Sequence, residues 1–154
     1  MSDTDKTPDL VLNRVFNASS DRVFRAWIDP QLLAQWWGPQ GWTAPVCELD
    51  PRPGGAWLVH MRSPEGHVQV MGGTYHEIEP AAKIAYTTFV KEGERFMVEG
   101  LHVVTLEALP DGRTKLRMET TLLQLAPEWE SARHGGMQEG TNSSLDKLEA
   151  MLTV

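Results

Sequence analysis

The segment GGAWLVHMRSPEGHVQVMGGTYHEIEP, residues 54–80, decides the fold. Trp57, Val59 and Met61 alternate with Leu58, His60 and Arg62, the two-residue period of a strand. Ser63-Pro64-Glu65-Gly66 then interrupts as a turn, and a second run from His67 to Glu79 stops at Pro80. Strands joined by so short a turn lie antiparallel. Gly72-Gly73, inside the second run, fits a β-bulge that would bring Val70 and Ile78 into step with Met71 and Tyr75.

The same punctuation continues on both sides. Thr43 to Asp50 is a strand, followed by a turn in which Pro53-Gly54 suits the central positions of type II. Downstream, Lys83 to Val90 is a strand, and Lys91-Glu92-Gly93 turns the chain into Phe96 to Ala108. Asp111-Gly112 is a hairpin signal, and Thr114 to Leu123 completes the meander, with Leu116, Met118 and Leu122 on one face. Upstream, Leu10, Leu12, Arg14 and Phe16 share a face of a first strand. Ser20 is a plausible cap for a short helix carrying Val23, Phe24 and Trp27. Asp29-Pro30 breaks it, and Pro30 opens a second short helix with Leu32, Leu33, Trp36 and Trp37, ended by Gly38-Pro39.

Beyond the meander, Pro127 opens the last element behind Ala126, a weak cap. Trp129, Met137, Thr141, Leu145, Leu148 and Leu152 recur at helical spacing. Gly135, Gly136 and Gly140 each cost about 1 kcal/mol inside a helix, so they imply a kink, a late helix start or close approach to another backbone. The order is strand, two short helices, about six strands, long helix. This is an α+β pattern in which the terminal helix covers one face of an antiparallel sheet. Residues 1–8 read as a disordered lead-in and 9–154 as one domain.

Apolar residues make up 41% of the chain and charged residues 23%, which argues against disorder. The net charge of −7, with no basic cluster, disfavours nucleic acid and anionic membranes as partners. No stretch approaches the length of a membrane span, and the polar N-terminus is not a signal peptide. Cys47 has no second cysteine to pair with, which suits a reducing compartment and a cytoplasmic location.

Several of these residues carry a resemblance. Phe16-Asn17-Ala18-Ser19, Val23-Phe24-Arg25-Ala26-Trp27, Asp29-Pro30 and Trp36-Trp37-Gly38-Pro39 come first. Arg52-Pro53-Gly54-Gly55, Met61-Arg62, Gly73-Thr74-Tyr75 and Glu77-Ile78-Glu79-Pro80 follow in order, and Gly140 to Leu152 closes the series. Together they resemble the domain related to the C-terminal part of the activator of heat-shock protein 90 ATPase, over roughly residues 9–152. That family belongs to the START-like, birch-pollen-allergen-like superfamily. The resemblance implies a helix-grip fold: a curved antiparallel sheet of six or seven strands gripping the long helix, with a cavity between them. Where members often carry Trp after the helix glycine, this chain has Thr141, which leaves more cavity unless Met137 fills it.

The chemistry-bearing residues each have a bland reading. His60, His67, His76, His102 and His134 show no ligand-like spacing, so no metal site or cofactor is expected. His102 shares a face with Val104 and Leu106 and points inward, either as a core histidine or as a polar group in the cavity. Arg14 also points inward and needs a carboxylate partner, or else serves to bind an anionic group. Cys47 reads as a small core residue rather than a nucleophile. No nucleophile elbow or phosphate-cradling loop is present.

The aromatic and thioether side chains carry more. Trp37, Trp57, Met61, Met71, Tyr75, Tyr86, His102, Val104, Met118, Met137 and Thr141 are the candidate cavity residues. Such walls suit a small apolar or amphipathic ligand, oriented by a few polar groups. The expected function is therefore ligand binding without catalysis, as a monomer or a homodimer. One alternative is a chaperone-contact module using Trp36, Trp37 and Trp42, which requires those rings to be exposed. Another is a cyclase- or hydrolase-type enzyme, which requires a carboxylate near His102.

Overall fold

A computed structural model describes residues 8–38, 40–130 and 137–152. The element order is β1 (Leu10–Phe16), α1 (Ser20–Ile28), α2 (Pro30–Trp36), β2 (Thr43–Leu49), β3 (Ala56–Arg62), β4 (Val68–Glu79), β5 (Lys83–Glu92), β6 (Arg95–Ala108), β7 (Thr114–Leu125) and α3 (Met137–Leu152). A single 3-10 turn, Pro127–Trp129, lies between β7 and α3. The seven strands form one antiparallel sheet in the order β1-β7-β6-β5-β4-β3-β2. The architecture is the helix-grip arrangement expected from the sequence. Of the expected lead-in, all but Pro8 lies outside the described residues, as do Gly135, Gly136 and His134.

Local chemistry explains the helix boundaries. Ser19, not Ser20, caps α1: its Oγ accepts from the Arg22 N–H at 3.3 Å. Ser20 instead lies inside the first turn, 3.3 Å from Thr114 Oγ1. Asp29 serves both short helices, since its N–H closes α1 on the Arg25 carbonyl and its Oδ1 caps α2 at Gln31 N–H. Pro30 at the start of α2 gives up an N–H that no helical carbonyl needs.

The meander holds two surprises. The Lys91 and Glu92 side of the expected turn belongs to β5, and the chain reverses at Gly93-Glu94. The bulge of β4 falls between Tyr75 and Glu77, not at Gly72-Gly73, where pairing with β3 is regular. Those glycines answer to crowding instead. A Cβ on Gly72 would stand 2.7 Å from Phe89 Cζ, and one on Gly73 would run into the Thr87 carbonyl. Further register shifts at Thr43/Val46, Val90/Lys91 and Glu99/Gly100 bend the strands around the interior.

The terminal helix is tied to the sheet edge by Arg14. Its Nη2 lies 2.7 Å from Asp146 Oδ1 and also reaches the carbonyl and side-chain oxygens of Asn142. The inward cation is thus fully engaged in holding α3 on β1, the structural role of the two the sequence allows. Leu145, Leu148 and Leu152 bury the second half of α3 against Phe16, Val23, Ile84, Val104 and Leu116. No helix among the described residues is long and apolar enough to cross a membrane.

Candidate functional site

The first half of α3 does not close on the sheet. A cavity of about 380 Å³ lies beneath it. Its floor is the inward face of the central strands: Met61 from β3, Gln69 and Met71 from β4, Tyr86, Thr88 and Val90 from β5. Val98, Gly100 and His102 from β6 and Met118, Leu122 and Leu125 from β7 complete it. Trp27, Trp36, Trp37 and Trp42 wall one side, with Trp129 behind β7. The roof is Met137, Gly140, Thr141, Ser144 and Leu145 of α3. None of these described residues carries a formal charge at neutral pH once His102 is counted as neutral.

Strand register puts four polar side chains in one row, of which Tyr86 and His102 lie in this floor. Tyr75 pairs with Tyr86, Tyr86 with His102, and His102 with Thr120. The Tyr86 and His102 rings stack with centroids 4.9 Å apart. His102 Nδ1 lies 2.8 Å from Thr120 Oγ1, which fixes the ring. Burial of the imidazole pulls its pKa down to about 4, so it is neutral at physiological pH. Burial likewise pushes the Tyr86 phenol well above its ordinary value, so it keeps its proton.

Two residues further along, Thr88 pairs with Gly100 and Gly100 with Leu122. The glycine leaves room beside the imidazole, because a Cβ there would lie 3.6 Å from His102 Nε2. Gly140 does the same from above: a Cβ at that position would meet open space. Close backbone approach is therefore not the reason for Gly140. Three polar atoms of lining residues are buried and have no hydrogen-bond partner among the described residues: Trp27 Nε1, Tyr86 Oη and Thr88 Oγ1.

Trp27, Trp36 and Trp57 are buried, while Trp37, Trp42 and Trp129 are partly exposed. Trp36 is 1% exposed, donates to the Ala26 carbonyl at 2.9 Å and packs edge-on to Trp27 and Trp37. Trp37 Nε1 points at Met71 Sδ, 3.4 Å away. Trp42 is half-buried beside His67. The loop between α2 and β2 is pinned to the roof, with Lys147 donating to the Gly38 carbonyl and Ser143 Oγ accepting from Gln40 N–H.

Eight of the sequence-derived candidates border the cavity: Trp37, Met61, Met71, Tyr86, His102, Met118, Met137 and Thr141. Three do not. Trp57 and Tyr75 lie behind Tyr86 around a separate void of about 10 Å³, where the Trp57 indole donates to the Thr87 carbonyl. Val104 sits two residues past His102, toward the closed end, and is fully buried. The reading missed Thr88, Gly100, Gly140, Ser144 and Gly38 among the small lining residues, and Trp27, Trp36, Trp42, Gln69, Val90, Val98, Leu122, Leu125, Trp129 and Leu145 among the larger ones. Parity with Tyr86 and His102 marks the first two, while the helix pair has only its spacing from Leu145 and Met137 to point to it. Cys47 lies outside the cavity, with its thiol pushed up to about 11 by burial and by Asp29, which leaves it unreactive. Among the described residues no cluster of His, Cys, Asp or Glu could hold a metal ion.

Comparison with known proteins agrees with this architecture. Residues 17–153 match the family model described as Activator of Hsp90 ATPase homolog 1-like protein. A solved Chromobacterium violaceum protein is 30% identical over 93% of this chain and 96% of its own, with a TM-score of 0.79. A Rhizobium leguminosarum protein is 33% identical over 94% of this chain and 93% of its own, with a TM-score of 0.77. The AHSA1 protein from Silicibacter pomeroyi is 28% identical over 94% of this chain and 96% of its own, with a TM-score of 0.77. No protein in a search of curated proteins matches.

Proposed function

This chain belongs to the Activator of Hsp90 ATPase homolog 1-like family, and from that premise we propose that it binds a small apolar or amphipathic molecule beneath α3, with no reaction of its own. The reading is carried by one observation, a cavity of about 380 Å³ walled by aromatic, thioether and aliphatic groups. That size is within the range of small-molecule sites, and the few polar groups on its floor suit orientation rather than solvation. An empty apolar cavity lowers stability by the contacts it forfeits. A guest that restores those contacts binds favourably.

The two other readings find less support. Chaperone contact through the tryptophans needs exposed rings, and Trp36 is core, Trp37 faces the cavity and Trp42 is half-buried. Catalysis by His102 needs a carboxylate partner, and the described lining residues include none.

Native mass spectrometry of protein from its own host, with binding of the neutral fluorophore N-phenyl-naphthylamine, tests the proposal. A repeated adduct mass or saturable fluorophore binding is expected, and both are lost in Thr141→Trp, which fills the roof. Absence of both in the wild-type protein defeats the reading.

A further inference from the structure

We propose that the guest is uncharged and presents one hydrogen-bond-accepting oxygen, as a ketone or ester does, to the patch formed by Trp27, Tyr86, Thr88 and His102. The inference rests on the cavity reading above and specifies the chemistry it selects.

Three observations converge on it. First, the patch is compact. Trp27 and Tyr86 have ring centroids 6.4 Å apart, Tyr86 stacks on His102 at 4.9 Å, and Thr88 follows Tyr86 by two residues on the same face of β5. Second, its polar atoms are unused. Trp27 Nε1, Tyr86 Oη and Thr88 Oγ1 have no partner among the described residues, although their residues are 4%, 3% and 6% exposed. His102 spends Nδ1 on Thr120 and has no partner at Nε2 among the described residues, beside the space Gly100 leaves open. A buried donor without a partner is costly, and native folds rarely accept three among the residues lining one cavity.

Third, the inventory of donors names the complement. The indole N–H can only donate, and both hydroxyls can donate, so the shared complement is an acceptor. Neither an anion nor a cation fits. A carboxylate would enter a region with no cation among the described lining residues, and an ammonium would enter one with no carboxylate among them and an N–H aimed at no partner. A hydrocarbon would leave all the donors unmatched. The neighbouring thioethers of Met61, Met71 and Met118 are flexible enough to shift as the oxygen approaches the buried hydroxyls.

Competition against bound N-phenyl-naphthylamine tests the inference with four ligands of similar chain length: methyl nonyl ketone, undecane, decanoate and decyltrimethylammonium. The ketone is expected to displace the fluorophore at a concentration at least tenfold below either ion and severalfold below the hydrocarbon. Tyr86→Phe and Thr88→Val should each weaken the ketone about fivefold more than they weaken undecane. Their melting temperatures without ligand should hold or rise, since an unpaired buried hydroxyl is removed. Fluorophore binding with decanoate or the ammonium equal to the ketone overturns the inference and leaves the cavity reading standing. So does a ketone affinity untouched by both variants. Failure of the fluorophore and of all four ligands to bind the wild-type protein overturns the cavity reading as well.

Discussion

The two halves of α3 lie over the same sheet and do opposite things. From Leu145 to Leu152 the helix sends down Leu145, Leu148 and Leu152, none more than 5% exposed, onto Ile84, Val104 and Leu116. From Met137 to Ser144 it offers Met137, Gly140, Thr141 and Ser144, over a floor in which Thr88 and Gly100 lie among Met61, Met71, Val90 and Leu122. Glycine, threonine and serine on the helix do not reach down to that floor, so the space between them persists. The lesson is that the cavity is written in side-chain volume at facing positions. It is not a defect in packing, because the same helix and sheet pack densely a few residues further on.

Removing volume from the closed half should have the largest effect. Leu148 is fully buried, and Leu148→Ala should cost about 4 kcal/mol in urea unfolding. Thr141→Ala, in the open half, should fall within about 0.5 kcal/mol of the parent, since it enlarges a space that already exists. Equal losses at both positions would erase the distinction between the halves.

Acid should act at the boundary row. His102 takes up its proton only near pH 4 in the folded state and near 6.5 when unfolded. The unfolded chain therefore binds more protons in that window, and stability must fall as pH drops through it, by about 3 kcal/mol once both limits are passed. His102→Gln should flatten that part of the stability–pH curve relative to wild type. Parallel curves would mean that the imidazole is open to water rather than held against Tyr86.

A smaller effect has the opposite sign. Gly140→Ala should raise stability by about 1 kcal/mol, because helix propensity improves and the added methyl meets open space. A loss of stability there would show that the roof is closer to the floor than described.

How much of this could be read beforehand follows the same division. Element order was legible because alternation, Pro-Gly punctuation and the leucine spacing of α3 are local signals. Inward parity identified Arg14 and His102, since each shares its face with apolar neighbours. Ser19 and Ser20 offer identical capping chemistry, so backbone geometry alone separates them. The diglycine of β4 was ambiguous between a bulge and crowding until Phe89 and Thr87 were seen pressing on it. For the site, parity picked out Met61, Met71, Tyr86, His102 and Met118 but left Trp27, Trp36 and Leu122 as plain core, and Trp57, Tyr75 and Val104 were overcounted because parity gives the face but not the distance along the strand. Thr88, Gly100, Gly140 and Ser144 were overlooked because a missing side chain has no signature until the residue opposite it is known.

The indole of Trp57 reaches past Gly73 to the carbonyl of Thr87, 3.0 Å away, and so spans from β3 to β5 over the strand between them. This rivet fastens three neighbouring strands against sliding, with the missing Cβ of Gly73 as its hole. The wall it stiffens carries Met61, Met71 and Tyr86, part of the floor beneath α3. Those three strands then behave as one plate, and the bottom of the cavity keeps its shape.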